Sequence, residues 1–173
     1  MTTTMTLQEF EKVQAARQVI AANALKYTEM LCEALEQNFL EQSIKRAKFL
    51  MPSSDNPQYW ADRIEDYKAG KDVYKFSIVT GRKYHKIVQT CCDGSQSVHA
   101  FVDKNTGELY KAASWKAPAK DVRFDLRIIS EREWVLENCD WAGGYLYKWG
   151  WHSPLYILYL IQIQLLFLNH DCS

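Results

Sequence analysis

The chain carries no excess of either charge: 21 basic and 21 acidic side chains leave a formal net charge of zero over 173 residues. That excludes a uniformly basic coat of the kind that holds nucleic acid or anionic lipid indiscriminately. Glycine and proline are scarce, at 7 and 4 residues, which excludes a collagen-like or low-complexity chain. The opening Met1-Thr2-Thr3-Thr4-Met5 has neither a basic nor an apolar stretch, so no secretory signal and a cytoplasmic location are expected. The cysteines, Cys32, Cys91, Cys92, Cys139 and Cys172, are odd in number and lack zinc-knuckle spacing. In a reducing compartment they are expected as free thiols, most of them buried as small apolar residues. The longest apolar run, residues 154–168, is interrupted by Gln162 and Gln164. It falls short of the roughly twenty residues a spanning helix needs, so no stable membrane insertion is expected.

What is present is an ordinary globular composition, 47% apolar and 13% aromatic with 24% charged, enough for one core in a chain of this length. The charge is unevenly spread. Residues 1–70 hold 8 basic and 10 acidic side chains, residues 71–127 hold 11 and 6, and residues 128–173 hold 2 and 5. The middle segment is the basic one.

Thr6-Leu7-Gln8-Glu9 has the form of a capping box and predicts a helix from Leu7. Phe10, Val13, Ile20, Ala24, Tyr27, Leu31 and Ala34 then recur at three- and four-residue spacing, one apolar stripe running to about residue 37. A second helical stretch covers residues 39–50 and is stopped by Pro52. One bent helix and two separate helices fit this pattern equally. Asn56-Pro57 predicts the next helix start and Gly70 its stop, with Trp60, Ile64 and Tyr67 sharing one face, in a helix expected to cover an edge or face of the following sheet.

From Val73 the period becomes two: Tyr74, Phe76 and Ile78 alternate with Lys75 and Ser77, and Thr80-Gly81-Arg82 turns the chain. The next strand, residues 84–92, meets Asp93-Gly94, a two-residue hairpin signal that sets Cys92 opposite Ser95 and Val88 opposite His99. That register puts Ile87, Cys91, Val98, Ala100 and Val102 on one side, and Lys86, Val88, His99 and Phe101 on the other. Residues 103–107 form a second hairpin connection into residues 108–111. Pro118 argues against a central strand, residues 122–127 alternate again, and Ser130-Glu131-Arg132-Glu133 predicts a capped helix to about Asn138. The fold expected is α+β, with N-terminal helices packed on an antiparallel meander sheet of three to five strands. It forms a single domain over residues 1–148, helical over 6–70 and sheet-rich over 73–148.

The stretch from Ser97-Val98-His99-Ala100-Phe101-Val102 through Asp103-Lys104-Asn105-Thr106-Gly107-Glu108-Leu109-Tyr110-Lys111 to Lys120 resembles a family of small uncharacterised proteins encoded by tailed bacteriophages, including marine ones. The likeness extends to Gly81-Arg82-Lys83-Tyr84 and to Asp140-Trp141-Ala142-Gly143-Gly144-Tyr145-Leu146-Tyr147-Lys148. It implies a phage origin and brings no activity with it. Members of that family end at or just after the motif matching residues 145–148, so the apolar residues 149–173 are expected as an extension outside the native domain.

No catalytic, cofactor or metal motif stands out. The register above separates Cys91 from His99, which argues against a shared metal site. A thiolate–imidazole pair drawn from Cys91 or Cys92 and His85 or His99 has no signature around it. What the sequence offers for function is binding. Arg82, Lys83, Lys86, Lys111, Trp115, Lys116, Lys120 and Arg123 interleave cations with an aromatic along the sheet, the arrangement that tracks phosphates and stacks bases. The same residues would serve a solvated sheet face. A host or phage protein is the alternative partner, through aromatics such as Trp115, Trp141, Tyr145 and Tyr147. An exposed Trp115 on a basic face would favour nucleic acid, whereas a contiguous apolar patch over residues 141–147 would favour protein.

Overall fold

The computed structural model describes residues 6–147. Its elements run α1 (Leu7–Leu50), α2 (Pro57–Lys68), β1 (Lys75–Thr80), β2 (Tyr84–Thr90), β3 (Gln96–Asp103), β4 (Glu108–Ala112), β5 (Pro118–Asp125) and α3 (Ile129–Asn138). The five strands form one antiparallel meander in sequence order, so the fold is α+β as expected. Among the described residues no helix is long and apolar enough to cross a membrane. The apolar run at 154–168 lies outside the described residues.

α1 is one continuous helix of 44 residues, which decides between the two alternatives above. No glycine or proline interrupts it, and at 1.5 Å per residue it is about 66 Å long. Its start is the capping box: the Thr6 hydroxyl accepts from Glu9 N–H while the Thr6 N–H donates to the Glu9 carboxylate at 2.8 Å. α2 starts as expected, with the Asn56 side chain accepting from the Tyr59 N–H and Pro57 in the first turn. Contrary to expectation α2 packs against α1, not across the sheet. The half-buried Trp60 and Tyr67 line a cleft against Phe39 and Ala47 of α1.

The core lies between α1, α3 and one sheet face. Leu31, Cys32 and Leu35 of α1 meet Phe76, Ile87, Ala100, Val102, Leu109 and Phe124 from the strands, closed by Leu126, Val135, Cys139, Tyr145 and Leu146. Burying a side chain of leucine size is worth roughly 1.5–3 kcal/mol, so this apolar layer dominates stability.

The β2–β3 hairpin departs from the expected register. Gly94 N–H bonds back to Cys91 O at 3.0 Å, Cys91 N–H bonds Ser95 O at 2.9 Å, and Gly94 has a φ of 81°. The loop is therefore the three-residue kind in which glycine takes the left-handed position, not a two-residue turn. Near the turn Val88 faces Val98, whereas further along Ile87 faces Ala100, which leaves His99 as the extra residue of a β-bulge. The bulge turns His99 into the core beside Ala100 and sends Val98 outward with Val88, reversing the expected sides of both. Lys86, Val88 and Phe101 keep the outer side.

β5 begins at Pro118, inside a stretch expected to be irregular. Proline is tolerated there because it opens an edge strand. The expected cap at Ser130 is absent: α3 starts at Ile129 with no side-chain cap, and the Glu131 carboxylate instead accepts from Asp125 N–H at 2.6 Å.

Candidate nucleic-acid interface

Because α1 and α3 occupy one face of the sheet, the opposite face is the surface on which the expected binding residues can converge. Directly opposed residues on neighbouring strands share a face. Lys86 of β2 faces Phe101 of β3, which faces Tyr110 of β4, which faces Val122 of β5, and this row defines the outer face. Phe101 is buried there under the edge of Tyr84, centroids 5.9 Å apart, and Tyr84 meets Tyr110 at the same distance.

The loop after β4 is folded by Ala113 and Ser114 N–H groups, both 3.1 Å from Ala117 O, and it carries Trp115 over this face. The ammonium of Lys86 lies 4.5 Å from the Trp115 ring centroid and 3.4 Å from the Trp115 carbonyl. Trp115 remains 46% exposed. Lys116, the next residue, and Lys120 of β5 are exposed, and Arg82 is exposed in the β1–β2 turn. Among the described residues none of these three has a carboxylate within salt-bridge distance. Lys83 sits 5.0 Å over the Tyr84 ring and 3.5 Å from Asp103 Oδ2. Its pKa is raised by the hydrogen bond to Tyr84 and by the charges of Tyr84 and Asp103, which keeps it cationic.

Two of the eight expected residues lie elsewhere. Lys111 faces Ala100 and so belongs to the helix-side face, its ammonium 3.7 Å from the Tyr147 ring centroid. Arg123 is the extra residue of a second bulge, since Leu109 faces Phe124 while Tyr110 faces Val122. Its guanidinium donates to Leu146 O at 2.7 Å and Asp121 O at 3.1 Å, and its side chain is 11% exposed. Arg123 is a strut holding the residues after α3. Lys75, also basic and in the sheet, is tied to Glu36 of α1 at 3.5 Å.

The acidic groups of the outer face, missed in the sequence, are turned into local structure. Asp103 Oδ1 accepts from Asn105 N–H at 2.8 Å and Thr106 N–H at 3.3 Å, and the Glu108 carboxylate accepts from the Thr106 and Tyr110 hydroxyls. The Asp-x-Asn-Thr-Gly spacing of a turn was the available signal for Asp103. Asp125, which faces Glu108 and is paired with Arg127, is the third carboxylate of this end of the face.

Of the alternative residues, Trp141 and Tyr145 pack inward. Trp141 stacks on Tyr74 at 5.3 Å, donates from Nε1 to Gln42 Oε1 at 3.2 Å, and receives an edge of Phe39. Tyr145 and Leu146 are buried, leaving Tyr147 as the exposed large apolar side chain of the segment, so no contiguous apolar patch forms at residues 141–147. In the cleft of about 420 Å³ between α1, α2 and Trp141, Arg63 donates to Asp72 and, at 2.8 Å, to the Tyr67 hydroxyl. Although the bulge brings His99 to the core side, it stacks on Tyr145 and meets the edge of Phe76, not a thiol. Among the described residues no three His, Cys, Asp or Glu side chains are grouped to hold a metal.

Residues 7–148 match a family of unknown function, DUF7717. The chain belongs to that family. The matched span takes in every element of the DUF7717 fold described above, from the first turn of α1 to the end of the helix-side core. No curated protein and no solved structure matches the chain.

Proposed function

We propose that this DUF7717 protein is a non-enzymatic accessory protein that binds single-stranded nucleic acid across its outer sheet face. The observation that supports the reading is the exposed Trp115, held against Lys86 and followed by exposed Lys116, with exposed Lys120 on β5; neither of these two lysines has a carboxylate partner among the described residues. A cation on one side of the indole leaves its remaining surface for a base, and base–aromatic stacking contributes about 1–3 kcal/mol per base. Arg82 and Lys83 extend the positive track along the β1–β2 turn. The likeness to small proteins of tailed phages belongs to the same proposal: the chain would act in the cytoplasm of an infected cell.

The test is a salt titration of the full chain against labelled single- and double-stranded DNA and RNA. About four phosphate contacts on a single strand correspond to a log–log salt slope of about −3, at about 0.7 per contact. Changing Lys86, Lys116 and Lys120 to alanine should flatten that slope by about two, and Trp115→Ala should weaken binding without changing it. Binding that ignores these substitutions, or no binding at low salt, would remove the nucleic-acid reading and leave a host or phage protein as the partner to seek by pull-down.

A further inference from the structure

α1 begins well outside the folded body. None of residues 7–23 is buried, and the first buried side chain on the helix is Ala24. Seventeen residues make about 26 Å of helix, a length at which isolated helices are marginal in water. Yet its far end is finished by a complete capping box at Thr6, so the sequence encodes helix over this whole projection.

The projecting turns continue the stripe that α1 buries in the core. Phe10, Arg17 and Ala24 repeat at seven residues, as do Val13, Ile20 and Tyr27 three positions later, a coiled-coil seam with Arg17 its one charge. The positions flanking the seam, Gln14, Ala16, Ala21 and Asn23, are small or uncharged, whereas Glu11 and Lys12 lie on the outward side. Phe10 is 50% and Val13 37% exposed. We propose that the projecting half of α1 pairs antiparallel with the same segment of a second copy of this chain.

Charge and length select that occupant and orientation. A parallel pair would set Arg17 against Arg17 within the seam. The antiparallel pair that lays Leu7 beside Asn23 uses the whole projection and keeps the two folded bodies at opposite ends. It sets Phe10 against Ile20 and Val13 against Arg17, and brings Arg17 within one turn of Glu9 of the other copy, which flanks the seam. The contact strip is about 26 Å by 10 Å on each chain, well below the area of a stable specific interface, so only weak association is expected, at about hundreds of micromolar.

Sedimentation of the full chain across that concentration range tests the pairing. A monomer–dimer equilibrium is expected, weakened at least tenfold by Phe10→Asp or Ile20→Asp, and tightened by Arg17→Leu. Val19→Asp is the control, because Val19 is 60% exposed but lies off the seam. All four substitutions fall outside the buried core, so the body folds in each. A chain that stays monomeric throughout, or a dimer disrupted equally by Val19→Asp, overturns the proposal. So does a dimer that ignores Phe10→Asp and is lost when residues 149–173 are removed, which would make the apolar tail the contact.

Discussion

Protonating His99 should destabilise this protein's core. The imidazole is buried, stacked on Tyr145 with centroids 5.7 Å apart, and its Nε2 lies 3.1 Å from the Tyr145 hydroxyl. Burial, opposed weakly by the Asp140 charge, pushes its pKa down to about 4, while burial holds the Tyr145 phenol well above its usual range. The phenol therefore stays protonated and shares a hydrogen bond with a neutral ring, whose tautomer sets the direction. In the unfolded chain the same histidine titrates near 6.5. The unfolded state thus binds the extra proton below pH 6.5, so the stabilisation is complete above that pH and is lost as pH falls toward 4. The difference of about 2.5 units corresponds to about 3 kcal/mol in full, of which about 2 kcal/mol is already lost at pH 5. Urea unfolding at pH 7.5 and pH 5, for the native chain and for His99→Gln, isolates this contribution. Carboxylates and His85, which burial also shifts downward, are common to both proteins and cancel. The native chain should lose about 2 kcal/mol more than the variant on acidification; identical losses would refute the reasoning.

Thiol reactivity should divide sharply. Cys91, lowered chiefly by its hydrogen bond with Tyr74, should alkylate ahead of Cys92, whose pKa is raised, while burial pushes Cys139 up to about 11 and Cys32 up to about 12 and protects both. Peptide mapping after brief iodoacetamide treatment checks the order. Gly107→Ala should destabilise by roughly 1–3 kcal/mol in thermal unfolding, because its φ is 69° and a methyl group would lie 3.0 Å from Arg127 Cγ. Leu35→Ala should cost about 2–5 kcal/mol, since Leu35 is fully buried where α1 meets the sheet. Lys111→Ala should leave nucleic-acid affinity unchanged while Lys120→Ala lowers it, because the two lysines lie on opposite faces of the sheet.

Local chemistry was legible in the sequence wherever a few neighbouring residues decide the backbone. The capping box at Thr6, the Asn56-Pro57 start and the period-two strands each rest on contacts within a few residues. The outer-face positions of Lys86, Val88 and Phe101 followed from the same alternation. His99 and Arg123 were misplaced because each is the extra residue of a bulge, and a bulge is set by fitting one strand to its neighbours and the core. Once Arg123 is displaced, its guanidinium finds Leu146 O, 23 residues away, a partner that no periodicity announces. Trp141 was set apart as a possible surface anchor, yet its N–H meets Asn38 Oδ1 at 3.2 Å across 103 residues, and that long-range contact packs it. Likewise α2 lacked any local signal for choosing α1 over the sheet. Trp115 stayed exposed for a reason the sequence shows in part: it sits in a short loop between Ser114 and Lys116, held by the Ser114 hydroxyl accepting from Lys116 and Ala117 N–H.

The most direct measurement of the central claim is the salt dependence of single-stranded nucleic-acid binding by the full chain and by Trp115→Ala. The account predicts a log–log slope of about −3 for both proteins, with affinity about 5- to 100-fold lower in the variant because a stacked base is lost while the phosphate contacts remain. Equal affinities for the two proteins, or no detectable binding at low salt, would contradict it.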